Sequence, residues 1–404
     1  MAKIVQLTEK TRTWLRRLGI GVLGLILVLC ALLVLGAHFP EINYAGGFGS
    51  LALSLWPAWF ILVPAFSAAM LWQFSNGRLR TVLTVLALLT ALGASLVLAR
   101  LVTVARANEV SLTVKNAFGF SDSLETATPD EVVVYTRDQG EDLTLRIFRP
   151  KGSTPAGGWP VLLHIHGGGW VSGSNEEQSA DLRWFANQGW VTISANYSLS
   201  SEQHHLWNRV HDQLGCAMGW IGANIAARGG DPARLAVRGG SAGGNLALNV
   251  AYKANAGTLR STCGGKIPKV RSVMPIYPGV DLAAINANTY PITGPDVQSM
   301  VQRYTGGTPR QYPDRYAAVA SASHITPFAP PTLIFISEND HLVPLASMRK
   351  FADQVRRAGI PLRVVSQPHA EHGFEITGIG NVLVREVSLQ FMRKYDSKLG
   401  ASRP

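Results

Sequence analysis

The chain has 404 residues, of which 47% are hydrophobic and 16% are charged, and its formal net charge is +11. This length allows two domains, and such a low content of charged residues indicates that part of the chain lies in a membrane. The basic residues do not cluster among aromatic residues, so the sequence excludes nucleic acid as a partner.

The N-terminal quarter contains three uncharged stretches, at residues 18–37, 42–76 and 81–99. Each is long enough for a helix to cross a bilayer core, which takes about 20 residues. A cleaved signal peptide would explain the first stretch only. We therefore predict a membrane anchor over residues 1–105. Its three transmembrane helices are expected at about residues 18–37, 51–72 and 81–103.

Basic residues in the short loops predict the orientation of this anchor. The first 17 residues carry five Lys or Arg, residues 38–46 carry none, and the second short loop carries Arg78 and Arg80. Because Lys and Arg are enriched in cytoplasmic loops, the N-terminus is predicted to be cytoplasmic. The region after the third helix is then extracytoplasmic.

Residues 106–130 show little pattern and are predicted to be a polar linker, followed by a domain at residues 131–400. That domain opens with two alternating stretches, typical of an antiparallel pair at a sheet edge, and continues with alternating strands and helices. This order predicts a mostly parallel central sheet with helices on both faces. Residues 281–330, rich in Pro, Gly, Tyr and Gln, are predicted to form an inserted cap.

The individual elements are predicted from apolar runs and helical periodicity. Strands are expected at residues 131–136, 143–148, 159–165, 191–196, 235–237, 270–276, 332–336 and 361–365. Helices are expected after Gly244 and at residues 205–227, 347–358 and 381–394.

Ser241 lies in a Gly-x-Ser-x-Gly motif, Gly239-Gly-Ser-Ala-Gly243, between a short apolar run and a helical stretch rich in Ala and Leu. A sharp strand–turn–helix connection of this kind holds a serine hydroxyl out at the start of a helix. An incidental serine in a glycine-rich loop is the alternative. A phosphate-binding P-loop is excluded because no Gly-Lys-Ser/Thr follows.

A second motif, His166-Gly-Gly-Gly-Trp170, follows a predicted central strand. Acyl transfer builds an oxyanion, and backbone N–H groups stabilise it best when they already point at it. Consecutive glycines let the backbone approach the substrate, and the N–H of Ala242 would add a donor at the start of the helix after the serine. A plain glycine turn is the alternative interpretation.

A general base and its acid are expected late in the chain. The candidate base is His372, which precedes a glycine, and His369 on the same loop is its rival. The candidate acid is Asp340, just past a predicted strand, with Glu338 as the alternative. The histidines show no spacing suited to zinc.

These motifs, together with Asp340-His-Leu-Val-Pro344 and His372-Gly-Phe374, resemble the α/β-hydrolase superfamily over about residues 131–395. Within it they are similar to hormone-sensitive-lipase-like carboxylesterases and to acetyl/feruloyl-type esterases. The lipase-like group usually has Asp before the nucleophile, where this chain has Gly240. That departure favours the feruloyl-type branch.

The resemblance implies an α/β-hydrolase fold and a Ser241–Asp340–His372 triad. It also implies oxyanion-hole donors at Gly168, Gly169 and Ala242. Together with the predicted anchor, the resemblance implies a membrane-anchored serine carboxylesterase that requires no metal or cofactor. The cap and the nearby bilayer indicate a small-molecule or lipid-like ester as its substrate.

Two alternative functions stay open, one of which uses the same catalytic residues and one of which does not. An acyltransferase or peptidase would keep the triad, whereas a catalytically inactive hydrolase domain would serve as a membrane scaffold.

Cys216 and Cys263 could pair in an oxidising compartment, but we expect two buried free thiols.

Overall fold

The computed structural model describes residues 9–121 and 126–396, so predictions for residues 1–8, 122–125 and 397–400 lie outside it. Strands β1 to β8 are Glu131–Asp138, Glu141–Phe148, Trp159–Ile165, Val191–Ala195, Gly230–Gly240, Val270–Ile276, Thr332–Ser337 and Leu362–Gln367. Helices α1 to α7 are Glu9–His38, Asn43–Leu55, Trp59–Phe74, Gly77–Ala107, Val114–Ala117, Ser179–Asn187 and Val210–Asn224. Helices α8 to α13 are Ala242–Ala256, Leu282–Asn286, Gly294–Thr305, Pro313–Val319, Leu345–Arg357 and Gly378–Asp396. Short 3-10 turns occur at Ala226–Arg228 and Ser321–His324.

The strands form one sheet in the order β1-β2-β4-β3-β5-β6-β7-β8. β1 pairs with β2 and β2 with β4 antiparallel, and the pairs from β4 to β8 are parallel. Helices cover both faces, so the parallel strands are buried and read as apolar runs. The predicted α/β-hydrolase fold, with its antiparallel edge and parallel body, is confirmed.

Helix α6 is absent from the predicted elements, and a buried ionic cluster explains why. Asp181 on α6 is 2% exposed and receives hydrogen bonds from Arg385 on α13 and Arg238 on β5. Arg238 is itself fully buried. An inward-facing carboxylate breaks the apolar stripe by which a short helix would be recognised, and it ties the nucleophile strand to two helices.

In the structure the predicted middle transmembrane helix, residues 51–72, is divided between helices α2 and α3. Among residues 9–121, α1 and α4 are long and apolar enough to cross a membrane, and a third span results only if α2 and α3 count as one. These two helices meet at 99°. Pro57 lies at the break, and proline cannot donate the backbone hydrogen bond that a continuous helix requires.

The segment predicted as a linker is packed between the anchor and the sheet. Helix α4 runs on to Ala107, and α5 is capped by a reciprocal Thr113–Asn116 pair. The N–H of Ala58 donates to the carbonyl of Ala117 at 2.9 Å. Gly378 (φ 66°) lies so close that an added Cβ would come within 2.9 Å of two backbone oxygens of this junction. Residues 106–121 are therefore not a loose tether.

Cys216 and Cys263 form a disulfide, so the expectation of two free thiols is wrong. Their Cα atoms are 5.4 Å apart, within the range that a disulfide can bridge. The bond links α7 to the loop that follows α8. Only this distance decides the pairing, and the sequence does not contain it.

Candidate active site

Ser241 lies at the sharp turn between β5 and α8, with φ 56° and ψ −121°. Such a left-handed backbone is strained for a residue with a side chain, and residues of this kind concentrate at functional sites. A Cβ at Gly239 would approach the carbonyl oxygen of Gly243 to 2.3 Å, and one at Gly243 would approach that of Ile165 to 2.2 Å. The two glycines of the motif are therefore required by close backbone contacts around Ser241.

His372 and Asp340 form a hydrogen-bonded pair beyond the ends of β8 and β7. His372 Nδ1 lies 2.9 Å from Asp340 Oδ2, and the Asp340 side chain has no solvent exposure. Burial lowers the pKa of His372, but the charge and hydrogen bond of Asp340 outweigh it and raise the pKa above its ordinary value. With Nδ1 bound to Asp340, Nε2 is the nitrogen that can accept a proton.

One cavity of about 390 Å³ brings the predicted site residues together. Its lining includes Ser241, Ala242, His372, Gly168 and Gly169, and Asp340 lies behind His372. The chain reaches this arrangement because the carboxyl ends of parallel strands meet at one edge of the sheet. A larger cavity of about 1090 Å³ lies at the amino ends of the strands and contains none of these residues.

The glycine loop after β3 packs directly against Ser241. A Cβ at Gly167 would lie 3.5 Å from that of Ser241, and one at Gly168 would meet the Ser172 carbonyl oxygen at 2.1 Å. His166 anchors the loop by stacking on Tyr197 at 4.3 Å. Burial lowers the pKa of His166 to about 4, so it stays neutral near pH 7 and does not carry a proton charge there.

The structure distinguishes the candidate base and acid from the alternative residues, His369 and Glu338. His369 Nδ1 lies 3.0 Å from the carbonyl oxygen of Ala37 in α1, facing the anchor. Glu338 accepts a hydrogen bond from Ser366 at 2.7 Å and does not contact His372. Of the two histidines and two acids considered, the described contacts therefore pair His372 with Asp340.

Sequence reasoning missed two buried residues beside the base. The Tyr277 ring lies 4.1 Å from the His372 ring, and its hydroxyl donates to Glu375 Oε1. Burial raises the pKa of Glu375. Tyr277 and Glu375 both line the cavity, and Glu375 Oε1 lies 3.9 Å from where a Cβ at Gly240 would be. No spacing in the sequence links positions 277 and 375.

A second histidine–carboxylate pair, His341 with Glu371, lies next to the Asp340–His372 pair. No sequence motif gives either residue a role, although each directly adjoins a candidate. Within residues 9–121 and 126–396, no group of three or more His, Cys, Asp or Glu side chains could hold a metal ion.

Comparisons with known proteins relate this chain to ester hydrolases. The BD-FAE family profile matches residues 145–355, just over half of the chain. LipM of Mycobacterium tuberculosis, named a probable carboxylic ester hydrolase, is 28% identical over 264 residues, which cover 64% of this chain and 60% of LipM. Esterase LipQ of the same organism is 28% identical over 270 residues, or 65% of this chain and 62% of LipQ. The chain thus matches about three fifths of the length of these relatives.

A solved structure of a thermophilic esterase from the Planctomycetes species Thermogutta terrifontis, with propionate bound, superposes with a TM-score of 0.54. It is 25% identical, and the alignment covers 68% of this chain and 96% of that one. The similarity therefore extends over nearly all of a known esterase and leaves about a third of this chain unmatched.

Proposed function

The chain belongs to the BD-FAE family, and from that membership and the cavity around Ser241 we propose that it is a membrane-anchored serine carboxylesterase. One observation carries the proposal. The His372–Asp340 pair, joined at 2.9 Å, adjoins the cavity that Ser241 and the glycine loop also line. Those are the parts that acyl transfer through a serine requires.

The mechanism assigns each residue one role. Ser241 Oγ attacks the ester carbonyl while His372 Nε2 takes its proton, and Asp340 stabilises the imidazolium that forms. The N–H groups of Gly168, Gly169 and Ala242 bind the oxyanion. His372 then protonates the departing alcohol, leaving an acyl group on Ser241.

Water completes the cycle in a second, similar step. His372 takes a proton from a water molecule, whose oxygen attacks the acyl carbonyl carbon. Collapse of the second tetrahedral intermediate breaks the bond to Ser241 Oγ, which recovers its proton from His372. The carboxylic acid leaves, and the enzyme returns to its starting state.

The lining of the cavity favours an apolar or lipid-like ester. Helices α9 and α10 of the cap contribute Ile285, Val297 and Met300, and the loop after Asp340 contributes Leu342 and Val343. A cavity of about 390 Å³ lies within the range of roughly 300–1,000 Å³ typical of small-molecule sites. Apolar walls reward burial of an acyl chain at about 0.8 kcal/mol per CH₂.

The anchor supports a location at a membrane, with the catalytic domain on the extracytoplasmic side. Helices α1 and α4 have the required length and hydropathy, and the bent pair α2 and α3 counts as the third span, so that the chain crosses the membrane an odd number of times. The Cys216–Cys263 disulfide supports the same side, because disulfides persist in oxidising compartments and are rare in the cytosol.

The full-length enzyme in detergent is tested with p-nitrophenyl esters from acetyl to palmitoyl. We expect hydrolysis of at least the shorter acyl chains, with a preference that follows chain length, and a loss of activity in Ser241→Ala. Added alcohol distinguishes the acyltransferase alternative, since a transferase forms the new ester in preference to the free acid. Absence of hydrolysis across the series would contradict the proposed activity.

A further inference from the structure

The loops that carry the acid and the base rest on the membrane anchor. Asn339, next to Asp340, donates from Nδ2 to the Ala37 carbonyl oxygen at 3.0 Å and to Ser50 Oγ at 2.9 Å. His369, on the base loop, also meets the Ala37 carbonyl oxygen. The anchor therefore contacts both halves of the His372–Asp340 pair through residues that flank them.

Glu371 joins the two loops to each other. Its Oε1 accepts the backbone N–H of His341 at 2.8 Å and that of His372 at 2.9 Å. Its Oε2 pairs with His341 Nδ1. The side chains of His341 and Glu371 are 11% and 7% exposed, so water competes little for these contacts. One carboxylate thus holds the residue after the acid and the base itself.

His341 extends this connection to the anchor. Its Nε2 lies 2.9 Å from the carbonyl oxygen of Pro40, in the turn between α1 and α2. Both ring nitrogens then face acceptors, and only a doubly protonated imidazole can donate to both. Tyr290 of the cap packs on the ring at 4.0 Å, and Tyr290 in turn donates to the carbonyl oxygen of Asn43 at 2.5 Å.

The charges around His341 favour its protonated form. Burial lowers the pKa of His341, but the hydrogen bond and charge of Glu371, the Pro40 carbonyl and the charge of Asp340 raise it above its ordinary value. The cap contributes an aromatic ring and the anchor a carbonyl. Because both of its ring nitrogens face acceptors, His341 is expected to form an ion pair with Glu371 beside His372.

We propose that His341 and Glu371 are positioning residues that dock the acid and base loops onto the Pro40 turn, so that the anchor fixes the geometry of the triad. This role rests on the proposed esterase function. Neither side chain lines the cavity among the described residues, so the pair acts on the reacting atoms through His372 and Asp340. Its loss should lower kcat more than it changes KM.

The pair also predicts two opposite electrostatic effects. Removing the positive charge of His341 leaves the Glu371 carboxylate uncompensated beside His372, which stabilises its imidazolium and raises its pKa. Removing Glu371 takes away one of the negative charges that raise the pKa of His372, so that pKa falls. The acidic limb of kcat/KM should move to higher pH in His341→Ala and to lower pH in Glu371→Gln.

The test uses the full chain in lipid nanodiscs with p-nitrophenyl butyrate across a pH series. His341→Ala is expected to lower kcat roughly 10- to 100-fold, the scale on which a misplacement of about 1 Å acts, with KM within about twofold. His341→Gln loses the charge and keeps one donor, so it should show the same upward shift of the limb with a smaller loss of kcat. His341→Gln replaces His341→Ala in this test if His341→Ala does not fold.

Two further variants separate docking from charge. Asn339→Ala removes an anchor contact and no charge, so kcat should fall without a shift of the limb. His204→Ala changes an exposed histidine that contacts Ser201, and it should behave as wild type. The proposal is wrong if the acidic limb of kcat/KM stays in place in both His341→Ala and Glu371→Gln, or if it moves in the same direction in both. This holds even if the wild type is an active esterase.

The positioning role can still be tested if the wild type hydrolyses none of the esters. The rate at which a fluorophosphonate labels Ser241 across the same pH series reports activation by His372 without any ester. Equal labelling rates and equal limbs in wild type and all the variants would then overturn the positioning role. Labelling that differs as described would support it, while the ester result alone would contradict the proposed function.

Discussion

The Asp340 carboxylate accepts about as many hydrogen bonds as it has acceptor positions. This explains how one residue can hold the His372 ring in a fixed orientation. Its Oδ1 accepts the N–H groups of Leu342 and Val343 at 2.9 and 2.7 Å. Its Oδ2 accepts from Ser337 Oγ at 3.1 Å and from His372 Nδ1 at 2.9 Å. A carboxylate has about four acceptor positions, and these four contacts hold the Asp340 side chain in one orientation behind His372.

This arrangement predicts the pH dependence of the reaction. His372 must be neutral to accept the Ser241 proton, and its pKa is raised, so kcat/KM should fall as pH drops through a value above about 6.5, the ordinary pKa of histidine. Asp340→Asn should move this limb to lower pH and reduce kcat by about 10⁴-fold, as loss of the orienting acid does in serine hydrolases. A variant with wild-type kcat and an unmoved limb would remove Asp340 from the triad.

At the scale of elements, the disulfide connects helix α7 to the loop that follows α8. Cys216 is nearly buried on α7, whereas Cys263 is exposed in the loop after α8. The covalent bond closes a loop with a sequence separation of 47 residues. It lies away from the cavity around Ser241, so its contribution should be to stability rather than to chemistry.

Cys263→Ser should lower the free energy of unfolding of the catalytic domain by about 2–4 kcal/mol, since the open chain gains conformational entropy when unfolded. Urea denaturation without reductant measures this change. Cys30→Ser is the matched control because Cys30 is a free cysteine in α1. Identical midpoints for the two variants would show that the bond does not form in solution.

The elements also show what could be predicted from the sequence and what could not. Continuous apolar runs located β3 and β6 at their observed bounds, because strands buried on both faces need such runs. Ser241, Asp340 and His372 follow strands, so motif order was sufficient to select them. The roles of Glu371 and His341 depend on distances between loops, which no local pattern encodes. Pro57 marks the break between α2 and α3, but the stretch around it is uncharged. The sequence therefore predicted one membrane-spanning helix there.

At the scale of the whole molecule, the anchor and the catalytic domain share one continuous set of contacts. The Pro40 turn meets His341, and Gly47 of α2 donates to the Tyr290 hydroxyl of the cap at 3.0 Å. The junction after α4 contacts the loop before α13, where Thr377 donates to the Gly119 carbonyl. The predicted anchor therefore contacts the cap and the loops that carry Asp340 and His372.

The topology of the anchor can be measured directly. An epitope tag before Met1 should be accessible only after the membrane is permeabilised, whereas a tag after Pro404 should be accessible on intact cells or spheroplasts. The reason is the concentration of Lys and Arg at the N-terminus and in the loop with Arg78 and Arg80. Two tags exposed on the same side would contradict an odd number of spans.

The proposed esterase function depends most directly on an acyl group carried by Ser241. The full-length enzyme is mixed with p-nitrophenyl butyrate, quenched in acid within the first turnover, digested and analysed by peptide mass spectrometry. We expect a butyryl group on the peptide containing Ser241, and no adduct in Ser241→Ala. A butyryl group on another residue, or turnover that persists in Ser241→Ala, would contradict the central claim.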